Sequence, residues 1–223
     1  VWESELEGLS STTNIRLEAD NNIIYGDAAE GQVYLNLTTQ AGYSVEFIAN
    51  ADGGSVGDFV LTNPGDEIDT QGGDFIIKAV NITAPEIATN GGDITLDAGF
   101  NASGAQLDLG GQLTSSGGDI QLSADEALDF DYSLSTAGGA LSVDVDGTLT
   151  QSEPITAGAT NLDTPGFGMT LTNPSNSFGD LTVTGASSDF LGLRQGFLSS
   201  IRVMLKHTAS PQSPVWENNP PAN

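Results

Sequence analysis

The sequence contains no cysteine, one histidine and only five lysines and arginines in total. Without cysteine, the chain has no disulfide framework and no thiolate metal site. The single histidine and the missing Gly-x-Ser-x-Gly turn argue against a Ser-His-Asp hydrolase, and the lack of His and Cys ligands excludes a hydrolytic zinc site. No apolar run is long enough to predict a transmembrane helix. These absences remove several common catalytic classes.

Acidic residues dominate the charge of the chain. Thirty Asp and Glu residues give 223 residues a formal net charge of -25. This charge argues against nucleic acid, anionic membrane surfaces and acidic polysaccharides as partners. The chain begins Val1-Trp2-Glu3, without Met or a signal peptide, and we interpret it as a processed or excised piece of a longer protein.

An internal repeat organises the sequence. Its clearest copy is residues 87–98, with the sequence IATNGGDITLDA. Copies begin at Ile68, Ile87, Leu113 and Leu134, and weaker copies begin at Ile155 and Pro174. The steps between these starting positions are 19, 26, 21, 21 and 19 residues. A nearly constant step of this size is typical of a repeat architecture.

Each repeat has the alternation of a β-strand. After the Gly pair, Ile94, Leu96 and Ala98 can face one way and the polar residues between them the other, which predicts a half-buried strand. The Gly pair marks a sharp change of direction. It fits either a two-residue hairpin in an antiparallel sandwich or the corner of a coil in a parallel β-solenoid. The fixed spacing favours the solenoid, because stacked coils must place their apolar residues alike.

Two regions follow from this interpretation. Residues 1–188 are predicted to form an all-β solenoid domain with coils of about twenty residues. The repeat is degenerate before residue 62, where Ile15 to Ala19 resembles the second half of a repeat and residues 57–63 resemble residues 73–77. The 26-residue step holds an insertion at residues 100–110, predicted to be a longer loop or an additional short strand.

Residues 189–223 are predicted to be an atypical tail. They contain Arg194, Arg202, Lys206 and the only histidine, His207. Leu193, Phe197, Ile201 and Met204 or Leu205 have the spacing of one helix face. A short C-terminal helix that caps the last coil is one interpretation. A disordered segment that does not belong to the fold is the other.

The repeat resembles a known family of proteins. Its pattern, together with residues 171–185 (LTNPSNSFGDLTVTG), resembles the repeat region of filamentous-haemagglutinin-like bacterial exoproteins and of autotransporter passenger domains. The resemblance covers residues 62–185 well and the earlier residues loosely. It implies a right-handed parallel β-helix that is exported through the outer membrane and is secreted or displayed at the bacterial cell surface as an adhesin shaft. The absence of cysteine agrees with export in an unfolded form.

Catalytic alternatives are weaker. A β-helical lyase needs cations, and the repeats offer only Arg16 and Lys78, predicted to lie about three coils apart. A glycosidase needs two carboxyl groups about 5 to 9.5 Å apart. Close pairs occur by chance in so acidic a chain, and aromatic residues for sugar stacking are few. The candidate pairs are Asp129 with Asp131, Asp144 with Asp146, and Asp125 with Glu126.

One column of acidic residues suggests a cation site. If the coils stack, Asp74, Asp93 and Asp119 form a column that continues with Ala140, Asn161 and Asp180. Stacked carboxylates repel each other and can recruit calcium. Alternatively, each Asp bonds its own backbone in an Asx-type corner and remains solvated. No residue is assigned a catalytic, cofactor or metal role.

The sequence therefore predicts a non-enzymatic adhesive shaft. Expected partners are a protein or glycan ligand on a host or neighbouring cell and further solenoid repeats of the parent chain, with no nucleic acid and no membrane insertion by this segment. Binding would use the exposed Thr, Asn and Asp rows or the loop near Phe100. The alternatives are a carbohydrate-active β-helix of the glycosidase type and a calcium-stiffened surface-layer or matrix module.

Overall fold

The computed structural model of the protein describes residues 3–26, 34–63, 65–189 and 200–203. Within these ranges the chain forms one short helix, α1 (Glu3–Glu7), and a series of strands that wind into a β-helix. Each full coil contributes one strand to each of three sheets, called A, B and C in the order in which the chain reaches them. All pairings between the described strands are parallel.

Sheet A contains the first strand of each coil, and we number the coils 1 to 8 by these strands from β1 to β21. The strands of sheet A are β1 (Ile15–Ala19), β4 (Ser44–Ala49), β7 (Asp74–Ala79), β10 (Ile94–Ala98), β13 (Ile120–Ala124), β16 (Leu141–Val145), β19 (Thr160–Thr170), β21 (Asp180–Asp189) and β22 (Ser200–Val203). The long strand β19 bends from sheet A into sheet B, because its far end pairs with β17 at Met169 and Leu149.

Sheets B and C complete the triangular coil. The hydrogen-bonded strands of sheet B are β2 (Ile23–Tyr25), β5 (Phe59–Leu61), β8 (Ile82–Ala84) and β11 (Leu107–Leu109). Strands β14 (Leu128–Phe130) and β17 (Leu149–Gln151) follow β11 on the same side of the coil, but they pair with each other and, through β19, with sheet A. The strands of sheet C are β3 (Tyr34–Gln40), β6 (Glu67–Gln71), β9 (Glu86–Ala88), β12 (Leu113–Thr114), β15 (Leu134–Ser135), β18 (Ile155–Ala157) and β20 (Ser177–Phe178).

Apolar residues of successive coils lie opposite each other in buried columns. In sheet A, Ile94 lies between Phe75 and Ile120. In sheet C, the column is fully or almost fully buried along five coils, at Ile68, Ile87, Leu113, Leu134 and Ile155. The parallel pairing of these strands confirms the parallel β-helix and excludes the antiparallel hairpins. Burial of the columns fixes the register, because a one-residue slip would turn every apolar side chain outward.

The Gly pairs form the corner between sheets C and A, and their two positions have different requirements. The first glycine has a positive φ, as at Gly117 (φ 123°). A Cβ on the second, Gly118, would lie 2.1 Å from the carbonyl oxygen of Gly92 in the preceding coil. A buried hydroxyl closes each corner by donating to the second glycine's carbonyl, from Thr70, Thr89, Ser115 and Thr136.

The register corrects three sequence alignments. Ile15 lies opposite Val45, and Val45 opposite Phe75, so each of the first two coils is thirty residues long. Thr156 pairs with Ser177, which places the copy predicted at Pro174 two residues too early. The C–A corners at Gly158 and Gly179 each contain a single glycine and are two residues shorter than the Gly-Gly corners. Residues 57–63 lead into sheet B, so their likeness to residues 73–77 is not structural equivalence.

The ends of the β-helix also differ from expectation. Helix α1, which the sequence did not predict, packs beside β3; Leu6 is buried, and Glu7 Oε1 accepts a hydrogen bond from Asn36 N at 3.0 Å. At the other end, Ser200–Val203 forms a strand parallel to β21, not the predicted helix. Ile201 lies opposite Leu181, one coil length later, so pairing with the open edge of β21 prevails over helical spacing. The rest of the predicted tail, residues 190–199 and 204–223, lies outside the described residues.

Candidate functional site

The column of acidic residues at the C–A corner is present. Asp74, Asp93 and Asp119 occupy equivalent positions in coils 3, 4 and 5, as predicted. Ala140 and Asp180 continue the column, but Ala159 takes the place predicted for Asn161. Asn161 lies two positions further on, opposite Ser142, because the corner before it is two residues shorter.

The carboxylates of Asp74, Asp93 and Asp119 each accept a hydrogen bond from the next coil. Asp93 N donates to Asp74 Oδ1 at 3.0 Å, Asp119 N to Asp93 Oδ1 at 2.7 Å, and Ala140 N to Asp119 Oδ1 at 2.7 Å. The bonding partner is thus the next coil and not the Asp's own corner, while Asp93 and Asp119 remain exposed to solvent. Among the described residues, no group of three or more His, Asp or Glu side chains is arranged to hold a metal ion. The geometry gives these carboxylates a structural role between coils.

A second ladder of the same kind follows the corner between sheets A and B. Asp58 N donates to Asn22 Oδ1 at 2.9 Å, Asn81 N to Asp58 Oδ1 at 3.3 Å, and Gln106 N to Asn81 Oδ1 at 3.0 Å. Asparagine and aspartate alternate here, so the bond needs an oxygen acceptor and not a charge. Both ladders satisfy backbone N–H groups at places where the strands end.

The cations of the repeats are neutralised within the first three coils. Glu46 lies between Arg16 and Lys78, with Oε2 3.5 Å from the Arg16 guanidinium and Oε1 2.8 Å from Lys78 Nζ. The two cations are therefore two coils apart, not three. Lys78 Nζ also lies 5.9 Å from the ring centre of Phe100. This arrangement leaves the two cations as ion-pair partners on sheet A and does not resemble a lyase site.

The carboxylates with perturbed acidity lie on the outer faces of the sheets. Burial raises the pKa of Glu67, and the charges of Asp69 and Glu86 raise it further. Burial also raises the pKa of Asp69, against a hydrogen bond with Glu67 that lowers it. In sheet A, burial raises the pKa of Asp144, followed by the charges of Asp163 and Asp146. Asp163 faces Asp144 in the next coil.

The three carboxylate pairs named from the sequence have separate environments. Asp125 Oδ2 accepts a hydrogen bond from Gly104 N at 2.8 Å, and Glu126 Oε2 accepts one from Gln106 Nε2 at 2.9 Å. Asp129 faces outward from sheet B. Asp131 lines a cleft whose other lining residues do not include Asp125, Glu126, Asp129, Asp144 or Asp146. The structure therefore does not bring the pairs into one site.

The cleft lies at the corner between sheets B and C and has a volume of about 600 Å³. It extends from Gly65 in coil 2 to Glu153 in coil 6. Its floor is the corner of coil 4, at Gly110 and Gly111. A Cβ on Gly111 would lie 2.4 Å from Glu86 N, so this corner packs directly on coil 3 and cannot hold a side chain. The space beside Gly111 is therefore filled by the backbone of coil 3.

Polar and aromatic side chains form the walls of this cleft. Glu86 and Gln112 lie near the floor, and coil 5 contributes Asp131, Tyr132 and Ser133. By register, Asp131 and Tyr132 occupy the positions of the two floor glycines one coil later. Tyr132 is 43% exposed, an unusual position for an aromatic ring in a chain whose other large side chains are mostly buried. The cleft thus combines hydrogen-bonding groups with an open aromatic surface.

Sequence reasoning missed this cleft. One signal was present in the sequence. The Gly pair Gly110-Gly111 is not followed by the Asp-apolar alternation that follows the other Gly pairs, and Asp131-Tyr132 stands 21 residues later, at the equivalent place in the next coil. The predicted binding loop near Phe100 lies instead at the A–B corner. There the Phe100 carbonyl accepts a hydrogen bond from Asn50 Nδ2 at 3.1 Å, which ties the loop to coil 2.

Comparison with known proteins gives one match. Residues 117–186 match a family described as repeats of unknown function (DUF5649). The match covers less than half of the chain and corresponds to coils 5 to 8. No curated protein and no solved structure matches the chain. Within the described part of the chain, no helix has the length and hydropathy needed to cross a membrane.

Proposed function

We propose that this chain is a non-enzymatic shaft segment of a large bacterial exoprotein, secreted or displayed at the cell surface, that serves cell adhesion. The observation behind the proposal is the continuous register of sheet A from Ile15 to Asp189. A stack of coils that contact only their neighbours grows in length without changing its cross-section. Such a rod suits a protein that must hold a binding surface away from a cell.

The composition supports export and display. The chain has no cysteine that an export machinery would have to keep reduced, and its net charge of -25 favours solubility outside the cell. Stability comes from strand pairing, the buried columns and the two polar ladders. The resemblance of the repeat to filamentous-haemagglutinin-like exoproteins supports the same assignment. The partner expected for such a shaft is a protein or glycan on an opposing cell surface.

Localisation of the parent protein tests this proposal. Antibodies raised against the purified chain are expected to label intact producing cells or to detect the protein in the medium. Beads coated with the chain are expected to bind cells more than beads coated with an unrelated acidic protein. Antigen found only inside intact cells would contradict the surface assignment, and equal bead binding would contradict the adhesive one.

A glycosidase at the B–C cleft is the second candidate. The observation in its favour is the presence of Glu86, Asp131 and Glu153 beside Tyr132 in one cleft. Release of new reducing ends from an oligosaccharide, lost in both Glu86→Gln and Glu153→Gln, would establish hydrolysis and overturn the non-enzymatic proposal. We expect no release above the level of a heat-treated control.

A further inference from the structure

We infer that the cleft at the B–C corner binds a neutral oligosaccharide. The cleft is distinct from the structural ladders, which lie at the other two corners of the coil. This inference deepens the adhesive part of the proposed function and rests on it for its biological role. The binding itself can be tested on the purified chain alone.

The dimensions of the cleft suit an elongated ligand. Its lining residues belong to coils 2 through 6, and parallel strands are spaced by about 4.8 Å, so the cleft extends about 19 Å along the axis. A volume of about 600 Å³ lies within the usual range for small-molecule sites.

The chemistry of the walls selects among ligands. Glu86, Asp131 and Glu153 disfavour anionic ligands, because none of the lining residues is a cation. Gln112, Tyr132 and Ser133 add hydrogen-bond donors to these acceptors. An ammonium or guanidinium group only donates hydrogen bonds, so it would leave these donors unused. A sugar hydroxyl both donates and accepts, and it therefore uses the whole wall.

The aromatic ring supplies the apolar contact. Tyr132 is 43% exposed on the wall of coil 5, and its neighbours Asp131 and Ser133 lie on either side of it in the chain. The C–H face of a pyranose ring is apolar and its edge carries hydroxyl groups. A sugar stacked on Tyr132 would place its hydroxyls within reach of the flanking polar side chains. Tyr132 is therefore the residue expected to contribute most to affinity.

Calorimetric titration of the purified chain tests the inference. The probes are neutral hexasaccharides of glucose, mannose, galactose and N-acetylglucosamine, with hexalysine as the cationic probe. We expect saturable binding of at least one hexasaccharide and about tenfold or more loss of affinity in Tyr132→Ala. Phe167→Ala is the matched control, because Phe167 is a 42% exposed aromatic outside the cleft; its affinity is expected to equal that of the unmodified chain.

Other outcomes overturn the inference. Failure of every hexasaccharide to bind at millimolar concentration removes it, as does binding that Tyr132→Ala and Gln112→Ala both leave unchanged. Hexalysine binding that competes for Tyr132, without saccharide binding, would assign the cleft to a basic peptide instead. Thermal unfolding of each variant verifies that the fold is intact. Surface labelling of producing cells is a separate measurement, so a failed titration and a failed shaft proposal are distinguishable.

Discussion

Coils 1 and 2 contain thirty residues each, whereas the coils from 3 onward contain 19 to 26, yet both groups have the same strand register. In coil 2 the additional residues lie at the A–B corner, between Ala49 and Phe59. In coil 1 they lie between Tyr25 and Tyr34, partly outside the described residues. Coil length therefore varies at the corners, and the inward columns and polar ladders maintain the register.

The two groups also differ in how they fill the interior. Coils 2 and 3 contain a cluster in which Phe47 stacks on Phe59 at 5.9 Å and meets the edge of Phe75 at 5.4 Å. The equivalent of Phe75 in the following coils is Ile94, Ile120 and then Leu141. The aromatic cluster thus lies where the wide coils meet the narrow ones, and the following coils place aliphatic side chains at the Phe75 position of sheet A. The contrast can be tested by substitutions and by changes of condition, ordered from the largest expected effect to the smallest.

A side chain at the second corner glycine should have the largest effect. Gly118→Val would place Cβ 2.1 Å from Gly92 O, so we expect a loss of about 4 kcal/mol or more, or failure to fold. The control is Gly53→Ala in the wide coil, where φ is 75° and nothing lies within 4 Å of a Cβ; it should cost about 1–2 kcal/mol. Urea unfolding measures both. Equal costs would show that the narrow corners tolerate side chains.

Exchanging the core residues should be costly in both directions. Ile94→Phe overfills a narrow coil, and we expect a loss of about 2 kcal/mol. Phe75→Leu removes the edge contact with Phe47 and should cost about 1.5 kcal/mol. Denaturant midpoints compare the two variants. Stabilisation by Ile94→Phe would mean that the narrow coils are not closely packed.

Removing one acceptor of the acidic column should have a smaller effect. Asp93→Ala leaves Asp119 N–H without its 2.7 Å partner in the chain, which should cost about 1 kcal/mol. Asp93→Asn retains an oxygen acceptor, like Asn81 in the second ladder, and should remain within about 0.5 kcal/mol. Thermal unfolding provides the comparison.

The same measurement addresses calcium. Because each column carboxylate is engaged by the next coil, we expect calcium to raise the melting temperature no more than magnesium at equal ionic strength. A larger rise with calcium, absent in Asp93→Asn, would restore the calcium-stiffened alternative.

Relief of backbone strain should give a modest gain. Ala137 precedes a Gly pair with φ 48°, a position at which Asn90 and Ser116 stand in other narrow coils. Ala137→Gly should stabilise the fold by about 1 kcal/mol, because glycine adopts this conformation without steric cost. An unchanged or lower unfolding free energy would show that the corner does not store this strain.

Mild acid should stabilise the protein slightly. The folded-state pKa values of Glu67, Asp69 and Asp144 are raised, so the folded state binds protons more readily than the unfolded state. Stability should therefore increase as the pH falls from neutral through the raised pKa values, with no further gain from these groups below their ordinary values. The melting temperature at about pH 5 should exceed that at pH 7.

Two substitutions show how much of this pH effect arises in the wide coils and how much in the narrow ones. Glu67→Gln should reduce it in wide coil 2, and Asp144→Asn should reduce it in narrow coil 6. A Tm that falls steadily on acidification in the unmodified chain would contradict the direction derived from these carboxyl groups.

The narrow coils were predictable and the wide ones were not. The Gly-Gly-Asp-Ile pattern of residues 91–94 specifies corner, acceptor and inward residue together, so its copies align correctly from the sequence. Coils 1 and 2 lack Gly-Gly-Asp corners at equal spacing, since their additional corner residues interrupt the period. The corner at Gly158 is two residues shorter than a Gly-Gly corner, so the sequence alignment placed Asn161 in the wrong position. Repeat spacing alone does not reveal a change of corner length.

The cleft was not predictable, because it depends on a corner of coil 4 that has two glycines where coil 5 has Asp131 and Tyr132. Gly110-Gly111 has the composition of a C–A corner but lies at the B–C corner, and only the register with Asp131-Tyr132 shows this. Helix α1 was missed because five residues are too few to give a periodic pattern. Neither alternative for the tail, a capping helix or a disordered segment, included the strand at Ser200–Val203, because side-chain spacing does not reveal the open edge of β21.

The polar ladders have a direction. In both, the side-chain oxygen belongs to the earlier coil and the N–H group to the later one. From Ile120 to Leu141 the chain completes one turn and returns to an equivalent place. A tandem duplication of residues 119–139 would therefore supply a second Asp119 carboxylate, which would accept the hydrogen bond from Ala140 N, while the first Asp119 would accept one from the N–H of its own copy. Gene duplication can lengthen this molecule by about 4.8 Å at a time without requiring compensating substitutions elsewhere.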